Sequence, residues 1–489
     1  MTVPEDTIDP TSLHDPVPPP TLAQRSWRPF VVRLHFYAGV LVGPFLIVAA
    51  ITGGLYALAP TLERFVYGDL LFVEPSGQAQ PLRDQAAAAQ AAFPDLTMTG
   101  MRPAATATDS TRIYFADPSL DEESSRAAFV DPYTGQVLGD EVTWFGYLPL
   151  STWLDGLHRH LNLGEPGRIY SEVAASWLWV VALGGLYLWL VKAASERRRG
   201  RAGRILTVDR SVDGRSRTLN WHGATGVWLL AALLFLSATG ITWSTYAGAH
   251  VTDLRAALNW QRPQLETSLP GGSATEPAGD HAGHNGTPSG DQAADPSSID
   301  YNAMLDAAAD AGVHLPVEVT LPAETGQAVD VTEIDKPYRL TTNAAAVNPE
   351  NLSVSSEIDY WRDYSVIAKL ADWGIRGHMG FLCGLLNQLA LLGVALGLLT
   401  VIVRGYRMWW QRRPTRGSAW ALGRPPLRGG IRRLHPAAIV ALLAAAVGVG
   451  WFLPLLGLTL AAFVVVDLIV GAAKARRSNA SRQGADSHA

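Results

Sequence analysis

Six apolar runs, each about as long as a helix that crosses the roughly 30 Å hydrocarbon core of a bilayer, constrain this chain more than any other feature. They are Val31 to Ala59, Val173 to Val191, Gly223 to Tyr246, Phe381 to Val403, and a close pair, Pro436 to Phe452 and Leu455 to Ala473, pinched at Leu453-Pro454. Lipid offers no hydrogen bonds, so such runs must satisfy their backbone internally and are predicted as helices. The first is too long for a secretory signal and lacks a convincing cleavage site, so it reads as a retained span. Charged residues make up 17% of the 489, below the roughly 25% of soluble domains. A mean hydropathy of only +0.10 nevertheless requires a large water-facing part.

Charge distribution orients the spans. Residues 192–217 carry nine Lys/Arg and three acids, and residues 404–434 carry nine Arg and none, which marks both loops as cytoplasmic. Residues 60–170 carry seven basic and fifteen acidic residues, and 247–377 carry seven and nineteen, so both long loops are expected outside. The predicted organisation is a disordered cytoplasmic N-terminus (1–30), span one (31–59), an external domain (60–170), span two (171–192), a cytoplasmic loop (193–221) and span three (222–246). A second external domain (247–377) with a low-complexity insert (270–298) follows, then span four (378–403), a loop (404–435), a two-span hairpin (436–473) and a cytoplasmic tail (474–489). Both termini fall on the cytoplasmic side of the cell membrane. Asp280, His281 and His284 in the insert are loosely spaced and read as a solvated linker rather than a metal site.

The spans repeat. His35-Phe-Tyr-Ala-Gly39-Val40 and His222-Gly-Ala-Thr-Gly226-Val227 open spans one and three, and each is followed seventeen residues after its histidine by Thr-Gly (Thr52-Gly53, Thr239-Gly240), at an offset of 187. Spans two and four align on Gly185-Leu-Tyr-Leu-Trp189 and Gly405-Tyr-Arg-Met-Trp409 at an offset of 220, which sets His158 opposite His378 and His160 opposite Gly380. The long loops echo each other too. Each has an alanine-rich helix (82–92; 301–311) and a strand-turn-strand phrase, Asp131-Pro132 in one and Asn348-Pro349 in the other. An even number of crossings separates the halves, which predicts parallel repeats about an axis along the membrane normal.

Four histidines in two layers are costly inside a membrane bundle unless they serve a purpose. His35 and His222 sit near the cytoplasmic ends of their spans, and His158 and His378 near the outer ends of theirs. Two facing neutral imidazoles with no thiolate or carboxylate partner suit six-coordinate haem iron, whereas zinc would need two more ligands. The chain has one cysteine, Cys383, and no CxxCH, so the haem would be b-type. Gly39, Gly43, Gly53, Gly226 and Gly240 suit either a flat macrocycle or close helix packing. His158 precedes its apolar run by fifteen residues, so a break at Glu165-Pro166-Gly167 is expected to bend the chain and keep it at the outer surface. Asn387 and Gln388 are expected to bridge helices and Glu172 to meet Arg168.

The phrases Arg33-Leu-His35, Leu157-His158-Arg159, Leu163-Gly164-Glu165, Trp221-His222, Gly226-Val-Trp228, His378-x-Gly380 and Met408-Trp409-Trp410 resemble those of the PepSY-associated transmembrane proteins, which include membrane reductases of ferric siderophores. The resemblance spans about residues 26 to 425. It implies an external PepSY-like domain in each long loop, so that with the runs and repeats above the expected fold is an α-helical membrane protein of six transmembrane helices in two parallel repeats, each helix, external PepSY-like α+β domain, helix, plus a C-terminal helix pair that departs from the family's shared core. It also implies two b-type haems ligated by His35, His158, His222 and His378. Electrons would pass from an unidentified donor to an external ferric complex, with no nucleic-acid partner. His160 is left out of the ligand set. A permease using the same repeats, or a non-catalytic PepSY sensor, are the competing expectations. No dinucleotide fingerprint follows a strand, so the donor must be a separate molecule.

Overall fold

The computed structural model describes residues 26–270, 296–412 and 425–486. The metal-ligand question raised by Asp280, His281 and His284, and most of the expected N-terminal disorder, lie outside those residues. The chain begins with α1 (Arg28–Tyr56), followed by short helices α2 (Ala59–Val66) and α3 (Gly68–Leu71) and by α4 (Leu82–Ala92). Strands β1 (Thr97–Arg102), β2 (Thr111–Ala116), β3 (Ser124–Val130) and β4 (Val137–Trp144) lead to α5 (Pro149–His160) and the long α6 (Glu165–Arg198). The second half runs α7 (Gly214–Thr242), α8 (Tyr246–Ala257), α9 (Tyr301–Asp310), β5 (Val317–Thr320), β6 (Val329–Glu333), β7 (Ala344–Val347), β8 (Val354–Ile358), α10 (Tyr360–Asp363), α11 (Val366–Met379) and α12 (Gly384–Trp410). Helices α13 (Pro436–Phe452) and α14 (Pro454–Asp486) complete it.

Among the described residues five helices are long and apolar enough to cross a membrane: α1, α6, α7, α12 and the Pro454–Ala473 part of α14. Helix α13 is apolar but only 17 residues long. The four longest-buried spans close a ring in which α1 packs on α6, α6 on α7, α7 on α12 and α12 on α1. Leucine, valine and alanine make up most of its core, Leu178 of α6 and Leu233 of α7 among them, while Trp177 of α6 donates to Thr459 of α14 at 2.8 Å. Pro44 interrupts α1 without stranding its backbone. It supplies no N–H to the Val40 carbonyl, and the Tyr406 hydroxyl donates to that oxygen instead at 2.8 Å. Outside the ring, α14 packs on α6 and α8 and is anchored by Asp467, which pairs with Arg33 of α1 and Arg428.

The two long loops were expected to form one domain each. They instead contribute four strands apiece to one antiparallel eight-stranded sheet, ordered β4-β3-β2-β1-β5-β6-β7-β8. The joint is the β1–β5 ladder, where Gly100 faces Thr320 and Met101 faces Val319. Any side chain on Gly100 would run into the Val319 carbonyl oxygen, so the close approach of the two central strands depends on that glycine. Arg102 of β1 and Glu318 of β5 form an ion pair beside it. The outer hairpins mirror each other: Val130 pairs with Val137 and Val347 with Val354, each next to a β-bulge. Helices α4 and α9 cover one face over a core of Ile113, Phe115, Met304, Val319 and Val331. The opposite face meets the segments that enter the membrane helices, through Phe129 with Leu148 and Ala344 with Tyr360. A single sheet arises because each half alone would leave β1 or β5 as an unpaired edge over a half-covered core.

Candidate functional site

Among the described residues the bundle lines two adjoining cavities. The one farther from the sheet, the inner cavity, is about 430 Å³ and is lined by His35 of α1 and His222 of α7. Their ring centroids are 6.2 Å apart. His35 Nδ1 lies 3.0 Å from the Val181 carbonyl oxygen, and His222 Nδ1 lies 2.9 Å from the Val401 carbonyl oxygen. A carbonyl can only accept, so each Nδ1 carries the proton and donates, and each Nε2 keeps its lone pair. Glycine permits the approach: a Cβ on Gly185 would stand 3.1 Å from His35 Cε1, and one on Gly405 3.6 Å from His222 Cε1. Val181 and Val401, like Gly185 and Gly405, are 220 residues apart.

The outer cavity, about 180 Å³, is lined by His158 at the end of α5 and His378 at the end of α11. Their centroids are 6.3 Å apart. Here a side chain fixes the tautomer. Thr52 Oγ1 donates to the Val48 carbonyl at 2.9 Å and accepts from His158 Nδ1 at 3.0 Å. Thr239 Oγ1 likewise donates to Phe235 O at 2.8 Å and accepts from His378 Nδ1 at 2.6 Å. The seventeen-residue spacing from histidine to Thr-Gly thus acquires a meaning: α1 and α7 each carry one inner imidazole and, about 25 Å along the helix, the hydroxyl that holds an outer one. A Cβ on Gly53 would lie 2.8 Å from His158 Cε1, so that glycine is part of the seat.

The turn after α5 sets the depth of His158. The chain passes through left-handed Leu161, Asn162 and Gly164 and re-enters helix at Glu165, which folds α5 back against α6. A side chain on Gly167 would collide with the His160 carbonyl oxygen, so this contact admits only glycine. His160 lines neither cavity, and its Nδ1 is buried without a partner. Asn387 donates to the Gly377 carbonyl at 2.9 Å and Gln388 accepts from Thr61 at 2.6 Å, so both bridge helices. Glu172 does not meet Arg168 as expected. Its carboxylate accepts from the backbone N–H of Tyr246 and Ala247 at 3.0 and 2.9 Å, because the first turn of α8 presents unpaired donors there. On α5, burial raises the Asp155 carboxyl, opposed by nearby Arg159 at 3.3 Å.

Two imidazoles bound trans to one metal, with bonds of about 2 Å and about 1 Å from nitrogen to ring centre, set centroids about 6 Å apart. Both observed separations match that value, and among the described residues the hydrogen bonds of all four imidazoles run through Nδ1, leaving Nε2 as the ligating atom. Among the described residues no three or more His, Cys, Asp or Glu gather into a larger metal site. The residues therefore fit a flat tetradentate metal macrocycle better than a bare ion. Four leucines, Leu46, Leu178, Leu233 and Leu398, line both cavities and form the layer between them. The sequence reading missed this layer and the cations Arg28, Lys192, Arg215 and Arg412 lining the inner cavity, although both sets recur at offsets of 187 and 220.

The fold and the paired cavities define a multi-pass membrane protein with a histidine-faced bundle under a single sheet. The model of the PepSY-associated TM region matches residues 32–412, and the chain belongs to that family. The match ends before α13 and α14. No curated protein matches the chain.

Proposed function

We propose that the protein is a di-haem b-type reductase of the cytoplasmic membrane that passes electrons outward to an external ferric complex, most plainly a ferric siderophore, for iron acquisition. The observation that carries this reading is the stacking of two tautomer-fixed histidine pairs at iron-ligand separation along one bundle axis. His35 and His222 would hold the inner haem and His158 and His378 the outer. When bound, the haems supply reversible one-electron iron chemistry. The chain supplies neutral axial imidazoles, glycine seats and a dry septum. That leucine layer offers no polar group to a moving proton or metal ion, which favours an electron relay over a permease. Six spans, α13 included, in two parallel repeats with the sheet outside and both termini inside complete the proposal. The donor is a separate cytoplasmic or membrane-soluble reductant. An absorption spectrum of the purified protein tests it: a Soret band that shifts on dithionite reduction, with two haems per chain, is expected, and its absence refutes the assignment.

A further inference from the structure

The four cations of the inner cavity belong to all four helices of the ring: Arg28 to α1, Lys192 to α6, Arg215 to α7, and Arg412 just past the end of α12. Arg215 follows Arg28 by 187 residues and Arg412 follows Lys192 by 220, the same two offsets that relate the histidines and their hydrogen-bond partners. Membrane orientation needs positive charge near the inner surface but is indifferent to its register. A twofold-matched ring at a cavity mouth is therefore more than a topology signal. Among the described residues no carboxylate pairs with Arg28, Arg215 or Arg412, while Lys192 reaches Glu196 at 2.7 Å and Asn220 at 3.1 Å. Burial, and then the charge of Arg215, lowers the Arg412 guanidinium, so like charges face each other there.

Such a ring is complementary to two carboxylates related by the same twofold. A b-type macrocycle carries its two propionates on one edge, one on each side of its own twofold line. A group held on the bundle axis by His35 and His222 presents one carboxylate to each half of the ring. The outer cavity lacks this device. Its cations, Arg159 and Arg168, both come from the first half, and the positions 220 residues on are Met379 and Gln388. Resting on the di-haem reading, we infer that Arg28, Lys192, Arg215 and Arg412 form a dicarboxylate clamp that selects the inner haem by its propionate edge and turns that edge toward the cytoplasm.

The test uses full-length His158→Ala/His378→Ala protein, made under haem depletion so that only the inner site reports, and titrated with haem b and with its dimethyl ester. The clamp predicts that haem b binds at least about tenfold more tightly than the ester, and that added salt narrows the gap. Arg28→Gln/Arg215→Gln and Arg412→Gln should bring the ratio toward unity while leaving ester affinity in place, and Arg28→Lys/Arg215→Lys should restore it. Should a variant fail to fold, the ratio in the unaltered ring still decides. Equal binding of haem b and ester overturns the clamp and leaves the di-haem reading intact. Loss of the preference on adding phosphatidylglycerol overturns it in favour of lipid phosphate as the ring's anion. Binding of neither compound overturns the di-haem reading and the clamp together.

Discussion

The hydroxyls of Thr52 and Thr239 offer a selective way to weaken one layer of the site. Replacing each by valine keeps the shape of the side chain and removes the one acceptor that His158 Nδ1 and His378 Nδ1 have among the described residues. Thr52 is 5% exposed, so water cannot readily substitute. Stranding a buried imidazole N–H costs about 1–3 kcal/mol, or roughly 5- to 150-fold in the equilibrium that depends on it. That range overlaps the roughly 10- to 100-fold usually seen when a partner behind a metal ligand is lost. The carbonyls of Val48 and Phe235 lie within helices and keep their own backbone donors, so the fold should tolerate the change. The inner pair, held by the backbone of Val181 and Val401, is untouched. Haem transfer to an excess of apoglobin acceptor should therefore become biphasic. Thr52→Val and Thr239→Val should accelerate one phase by at least about tenfold, and Thr→Ser at either position should restore it. Equal acceleration of both phases, or none in either variant, would refute the reasoning.

Three further outcomes are expected. His35→Ala or His222→Ala should remove one haem and His158→Ala or His378→Ala the other, with His160→Ala retaining both, as counted by haem-to-protein ratio. Gly100→Val should drive a side chain into the Val319 carbonyl at the central sheet seam and destabilise the sheet by about 1–3 kcal/mol, read as a lower thermal midpoint with the haem spectrum retained. Hydrogen bonds from Ser119, and then from Arg126, hold the Asp117 carboxyl down to about 2 from 3.8. Its contribution is thus present above about pH 4 and lost as pH falls through 2, and Asp117→Asn should flatten that part of the acid-unfolding curve without changing it near neutrality.

Much of this was legible in the chain because membrane helices announce themselves by length and polarity alone. Lipid leaves the backbone no alternative partner, so Val31–Ala59 had to be helix, and the structure places α1 at Arg28–Tyr56. Duplication made the histidines legible too. A fixed offset of 220 set His158 rather than His160 opposite His378, and the structure seats that pair at one cavity while His160 lines neither.

What the sequence could not contain is how the halves meet. The pairing of β1 with β5 is a contact between residues some 220 positions apart, chosen because each four-strand half would otherwise expose an edge, and no local pattern encodes it. Partners were hidden for the same reason. Thr52, Val181 and the four leucines are ordinary residues of apolar helices until helix packing puts them beside an imidazole or between two cavities. Glu172 shows the reverse case, a charged residue whose nearest cation in sequence proved irrelevant once the first turn of α8 offered it two N–H groups. Polarity and periodicity act along the chain and were decided by the sequence alone. Hydrogen-bond partners, the single sheet and the symmetric ring of cations are properties of distance in space, and only the tertiary structure decided them.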